Sequence, residues 1–326
     1  MLFKSLQQKD GNRKSKFAGM SNLIVLFITM LIMFAVFTYS SEYFLTLNNM
    51  LNLLQQVCVL GIVSAGITLV VLSGNLDLSV GSMLALSGIF AAFFINITGS
   101  WLLGFLGGIL VGTIAGAINA TMINILKMNP LIVTLGMATV WEGATKLLNN
   151  GTAIGIFDEK FKFIGQGRIF GIPFVIFIML AVFGALIFVL KYTKFGRDTY
   201  AVGGNSKSAL YSGINIKTVR YVIYTLVGSF AGLAGVCYAA IVGSGTVTAG
   251  SDSTMNAIAA VVLGGASLKG GVGNMFGTFL GVLLMGTIDN GLAILGVSSY
   301  WQLIVKGLIL LVAILVDVIR GGEKFE

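Results

Sequence analysis

Long apolar runs alternate along this chain with short polar or glycine-rich breaks. Runs of helical length fall near residues 21–39, 51–73, 78–97, 101–124, 130–148, 172–190, 219–242, 255–268, 273–294 and 300–319. A bilayer core takes about 20 residues of helix per crossing, so the pattern predicts an all-α polytopic membrane protein of about ten transmembrane helices. The run at 255–268 is short enough to be re-entrant, and the breaks at 74–77 and 269–272 leave room only for tight connections. The expected organisation is a tail (1–20), a membrane domain (21–319) and a second tail (320–326). Two polar loops stand out, 149–171 and 191–218.

Charge orients this scheme. Lys4, Lys9, Arg13, Lys14 and Lys16 precede the first apolar run, which has no small-residue cleavage site near Tyr39 and reads as an uncleaved span. With a cytoplasmic N-terminus, fifteen of the twenty Lys and Arg fall on the inner side, among them Lys127, Lys191, Lys194, Arg197, Lys207, Lys217, Arg220, Lys269, Arg320 and Lys324. The reverse orientation breaks the positive-inside bias. Both termini and the 191–218 loop are therefore expected in the cytoplasm, and the 149–171 loop outside.

Composition narrows the function. At 56% hydrophobic and 10% charged, the chain is not a soluble globular protein. Its net charge of +8 follows the membrane charge bias, so no nucleic-acid partner is implied. The absence of His excludes imidazole ligands and His-based nucleophilic catalysis, and Cys58 and Cys237 both lie inside apolar runs. No metal site or cofactor bound by this chain is expected.

The 44 glycines include stripes at every fourth residue: Gly104, Gly108, Gly112 and Gly116; Gly228 and Gly232; Gly273, Gly277 and Gly281. Such stripes let helix backbones approach where lipid gives no hydrophobic drive to associate, which predicts a compact bundle. Pro130 and Pro173 each stand at the expected first turn of a span, where a missing N–H costs nothing. A weak internal echo relates LSGNLDLSVGSM (72–83) to LGGASLKGGVGNM (263–275), both on the cytoplasmic side of the scheme.

Acidic residues at membrane depth need a partner or water. Glu142 precedes Lys146 by one turn, either as a neutralising pair or as a pathway wall. Asp289, followed by Asn290, is placed to line a polar cavity that bonds hydroxyls, and Asp317 beside Arg320 reads as a solvated helix end. Asp77 opens a helix, where it either caps orphan N–H groups or contacts substrate at a broken helix. No phosphate-binding loop of the GxxxxGK[ST] type occurs, so the chain does not hydrolyse ATP by itself. Energy is expected from a partner. The 191–218 loop, with a short helix candidate at Ser206–Tyr211, is either a solvated connection or the docking element for such a motor.

Five segments, GNLDLSVGSMLALSG (74–88), NPLIVTLGM (129–137), TKFGRDTYAVGGNSKSALYSGINI (193–216), NAIAAVVLGGASLKGGVGN (256–274) and NGLAILGVSSYWQLIVKG (290–307), resemble the membrane permeases of bacterial ABC importers for ribose and related monosaccharides. These belong to the branched-chain amino acid and sugar permease superfamily. The likeness runs from about residue 20 to 320. It implies a type II ABC importer-like bundle in the bacterial inner membrane, two cytosolic ATP-binding subunits that use ATP and Mg, an extracytoplasmic sugar-binding protein and a second permease copy. Gly196, Arg197, Tyr200, Gly203, Gly204, Asn205, Ser212 and Gly213 match the stretch that meets the ATPase in that family. Asn75, Asp77, Thr134, Glu142, Asn256, Asp289 and Asn290 are the candidates for the substrate pathway. Asn75 stands where many relatives have Gly or Ile, and Asp289 where many have Asn. A stand-alone secondary carrier and a membrane-embedded enzyme are the competing classes.

Overall fold

The computed structural model describes residues 23–320, so the basic tail from Lys4 to Lys16 and Lys324 lie outside the described residues. Each of the ten apolar runs contains a helix within its described residues, although the run at 255–268 is helical only as far as Leu263. In chain order the helices are α1 (Leu23–Ser40), α2 (Leu47–Leu72), α3 (Val80–Thr98), α4 (Trp101–Asn124), α5 (Pro130–Leu147), α6 (Glu159–Gln166), α7 (Phe174–Tyr192), α8 (Lys194–Gly204), α9 (Ser206–Tyr211), α10 (Ile216–Val242), α11 (Ser253–Leu263), α12 (Met275–Ile294) and α13 (Ser299–Arg320). Four two-residue strands form two small antiparallel pairs: β1 (Ile154–Gly155) with β4 (Ser244–Gly245), and β2 (Arg168–Ile169) with β3 (Ile172–Pro173).

Eight of these helices are long and apolar enough to cross a membrane: α1 to α4, α7, α10, α12 and α13. The other two of the expected ten fall short for different reasons. Glu142, Thr145 and Lys146 dilute the hydropathy of α5, and the 11 residues of α11 rise only about 16 Å. The short run near 255–268 is thus a helix too brief to cross.

Helix ends follow their capping residues. Thr46, Ser100, Asn129, Asn215 and Asn274 each accept a backbone N–H of the first turn that follows, which satisfies a donor with no intrahelical partner. Pro130 sits in the first turn of α5 as expected, whereas Pro173 is one residue earlier, at the N-cap of α7. Gly99 and Gly243 close α3 and α10 in the left-handed conformation, at φ 65° and 75°.

The most extensive helix-to-helix contact of the bundle is the crossing of α4 with α10, while α2 is its most buried span. A Cβ placed on Gly112 would lie 2.6 Å from the Gly232 Cα, and one on Gly228 would lie 2.7 Å from the Gly116 Cα. Backbone therefore meets backbone, with Thr113 and Ser229 hydroxyls hydrogen-bonded alongside at 2.9 Å. The third stripe works the same way: Gly277 lies against Gly264, and Gly281 against Ala260, which seats α12 on α11. Close approach maximises dispersion contact and leaves no room for lipid.

Two ends of the bundle are distinguishable. At one, β1 pairs with β4, Gln55 donates to the Gly165 carbonyl at 2.7 Å, and Gln166 donates to Ile241 at 3.0 Å, tying α6 to α2 and α10. At the other, the two echoing segments meet. The Gly271 N–H donates to the Leu72 carbonyl at 2.9 Å, and a Cβ on Gly270 would lie 2.6 Å from the Gly74 Cα. Gly203 of α8 is wedged against both segments. Asp317 is not a solvated helix end: it accepts from Leu268 N at 3.1 Å and Ser267 Oγ at 3.3 Å, fastening α13 to this glycine junction.

Candidate functional site

Toward the α6 end, a cleft of about 260 Å³ opens between α2, α10, α11 and α12. Its volume sits near the small end of the roughly 300–1,000 Å³ typical of small-molecule sites, which suits a compact solute. Gln56 reaches it from α2, Tyr238 from α10, Ser253 and Asn256 from the first turn of α11, and Asp289 from α12, between Val57, Leu60, Ile241 and Gly286. The side chains of Gln56, Tyr238, Ser253 and Asn256 make no hydrogen bond to any described residue. Asp289 Oδ1 lies 3.2 Å from Lys306 Nζ on α13, an ion pair without directed hydrogen-bond geometry, and Oδ2 has no partner among the described residues. A half-apolar cleft with several unpaired donors and acceptors offers what a polyhydroxylated molecule needs.

Of the pathway candidates, the structure brings Asn256 and Asp289 together here. Asn290, one residue on, points elsewhere and exchanges two 2.9 Å hydrogen bonds with Asn49 on α2. Glu142 pairs with Lys146 at 2.6 Å on the exposed face of α5, and both line a second cavity of about 320 Å³ together with Ser82, Thr248, Ser251 and Thr254. Polar groups there are partly satisfied internally: Thr254 Oγ1 accepts from Gly81 N at 2.9 Å and Ser251 donates to the Thr248 carbonyl at 2.7 Å. Thr134 is buried in α5 and donates to its own helix at Leu131.

Asp77 lies in the connection between α2 and α3, fully buried. Its Oδ1 accepts from Ser79 N at 2.8 Å and Ser79 Oγ at 2.6 Å, Asn119 donates to the same hydroxyl at 2.8 Å, and Tyr224 donates to the Leu76 carbonyl at 3.2 Å. This is a local turn that launches α3, and it opens onto neither cavity. Burial pushes the Asp77 carboxyl above its usual range, opposed by the hydrogen bonds from Ser79 and Asn119. The Asn75 side chain bonds to Ser73 nearby, and its backbone N–H donates to the Val70 carbonyl at 3.1 Å.

The helix expected at Ser206–Tyr211 is α9, capped by Asn205, whose Oδ1 accepts from Ser208 N at 2.9 Å. The residues matched to the ATPase contact divide into two groups. Arg197, Gly204, Asn205, Ser212 and Gly213 are exposed, with Leu210 and Tyr211 bare beside them. Gly196, Tyr200 and Gly203 face inward: Gly196 packs on the Leu190 backbone, and Tyr200 donates to the Gly273 carbonyl at 2.9 Å.

Residues 49–314 match the family described as branched-chain amino acid transport system / permease component. The chain belongs to that family. As relatives, the permease has the ribose import permease protein RbsC of Bacillus subtilis strain 168, 40% identical over 96% of this chain and 98% of that protein. RbsC of Escherichia coli K12 is 40% identical over 89% and 92% respectively. The D-allose transport system permease protein AlsC of E. coli K12 is 37% identical over 89% and 90%. No solved structure matches the permease.

Gln56, Tyr238, Ser253 and Lys306 were not among the sequence candidates. Gln56 and Lys306 are polar residues inside apolar helices, a legible signal; Tyr238 and Ser253 carry none until the helices are assembled.

Proposed function

We propose that the permease is the membrane subunit of an ATP-binding-cassette sugar importer, passing a monosaccharide of the ribose type through the cleft lined by Gln56, Tyr238, Ser253, Asn256 and Asp289. The observation that carries this reading is that cleft of unpartnered polar side chains in a family member whose relatives are named for ribose and allose. Charge bias supports ten membrane segments with both termini cytoplasmic, counting α5 and α11 as lining elements of the membrane domain. The cleft then opens outward, where a sugar-binding protein delivers cargo beside the 149–171 loop. The glycine junction faces inward.

A cytosolic ATPase dimer seats on the exposed face of α8 and α9, around Arg197, Asn205, Leu210 and Tyr211. Gly203 and Tyr200 transmit its displacement to the two echoing segments, and through α2 and α12 to the cleft roughly 20 Å away along each helix. A second permease copy completes the channel. The bundle alternates access; no bond in the sugar is made or broken, and ATP and Mg act only in the partner. The intramembrane Asp289–Lys306 pair is also the kind of feature an ion-coupled stand-alone carrier uses, which favours that class as the second reading.

Proteoliposomes decide between them. With ATPase subunits, binding protein and ATP supplied, labelled D-ribose should accumulate, and Gln56→Ala and Asn256→Ala should reduce uptake without reducing insertion. Accumulation by the lone permease under an ion gradient would replace this reading with the carrier.

A further inference from the structure

The Asp289–Lys306 pair carries more than neutralisation. Lys306 is on α13, a helix whose other faces carry exposed Leu303, Ile304, Leu308 and Leu311 for lipid, yet its own side chain is only 16% exposed and turned in toward α12. Its ammonium covers Oδ1 of Asp289, which is occluded from solvent, while Oδ2 has no partner among the described residues and the residue walls the cleft. Without Lys306 the cleft would hold uncompensated negative charge at membrane depth, which binds cations and orders water in place of a neutral solute.

We propose that Lys306 is a positioning residue for selectivity: it cancels the charge of Asp289 and fixes its free oxygen as an acceptor for a hydroxyl of an uncharged sugar. The inference rests on the reading of the cleft as a sugar passage. A carboxylate oxygen accepts more strongly than an amide, and one held by a neighbouring ammonium does so without attracting free cations. The bare alternative is a structural pair that joins α13 to α12 and touches no cargo. These two roles separate when the pair is replaced by groups of equal charge but different hydrogen-bonding capacity.

The experiment measures initial uptake of labelled D-ribose in proteoliposomes holding the complete transporter, with the amount of permease in the membrane measured in parallel. Lys306→Met leaves a lone carboxylate and should cut uptake about tenfold or more, whereas Lys306→Arg should keep most of it. Asp289→Asn combined with Lys306→Met is neutral and retains a carbonyl acceptor, so it should recover much of the lost uptake with a raised KM. Asp289→Leu combined with Lys306→Met is equally neutral but accepts nothing, and should remain impaired at normal membrane levels. Where Lys306→Met fails to accumulate, the two double variants, both free of buried charge, decide. Equal, wild-type-like uptake and KM in the two double variants would overturn the assignment in favour of a structural pair, as would full activity of Lys306→Met. If the wild-type transporter accumulates no neutral sugar at all, the functional reading itself fails; if it does so and ignores these variants, only the role of the pair fails.

Discussion

The Tyr200 hydroxyl of α8 donates to the carbonyl of Gly273 at 2.9 Å, joining the polar loop helix directly to the segment that launches α12. One side chain thus bridges the surface where an ATPase would dock and a helix that walls the cleft. Tyr200→Phe removes the bond but keeps the ring. It should cost about 1 kcal/mol of stability, within reach of thermal melting in detergent. Sugar-stimulated ATPase activity of the full transporter should fall more than membrane levels do. Unchanged stimulation would mean that the bond transmits nothing.

Gly203 and Gly204 are adjacent, yet their surroundings differ. A Cβ on Gly203 would strike the Leu72 carbonyl and lie 2.7 Å from Gly271 N, all backbone that cannot give way; one on Gly204 meets nothing within 4 Å. Gly203→Val should therefore destabilise the junction by about 2 kcal/mol or more, seen as loss of folded protein on size exclusion. Gly204→Ala should stay within about 0.5 kcal/mol of wild type. Equal tolerance at both positions would contradict the wedge.

At the α4–α10 crossing, Gly228 faces Gly112 and Gly116 through backbone atoms. Gly228→Leu should prevent the two helices from closing and abolish folded permease. Gly136→Leu and Gly184→Leu, where a Cβ meets nothing within 4 Å, should leave yield and melting nearly unchanged.

Asp77 predicts a pH dependence. Because burial raises its folded-state pKa above the unfolded value of about 3.9, its stabilising share is complete below that value and is lost as pH rises through the folded pKa. The Asp77→Asn variant keeps an acceptor for Ser79 and does not titrate. Wild type minus variant, in melting temperature, should thus decrease between acidic and neutral pH; a difference flat with pH would refute this.

Helix existence was legible because each apolar run had to satisfy its own backbone in lipid, a local requirement written in consecutive residues. The glycine stripes were legible for a related reason: spacing by four puts small residues on one face, and Gly112, Gly116 and Gly228 meet as that spacing predicts. The eight qualifying spans among the described residues are fewer than the ten segments because α11 is too short to cross and because Glu142, Thr145 and Lys146 dilute the apolar run of α5. Asp317 shows another limit, since adjacency to Arg320 suggested solvent while its partners Ser267 and Leu268 lie some fifty residues back.

What the sequence alone determined was a multi-pass membrane chain without its own phosphate loop, with close helix crossings and a short helix at Ser206–Tyr211. Tertiary structure decided which polar residues share a space. Asn256 and Asp289 join Gln56 and Tyr238 at the cleft, while Asn290 turns to Asn49 and Asp77 closes on Ser79. Neighbouring residues on a helix point about 100° apart, so whether a side chain faces cavity, partner helix or lipid depends on how the helices rotate against one another. That rotation is fixed by backbone contacts between glycines far apart in the chain.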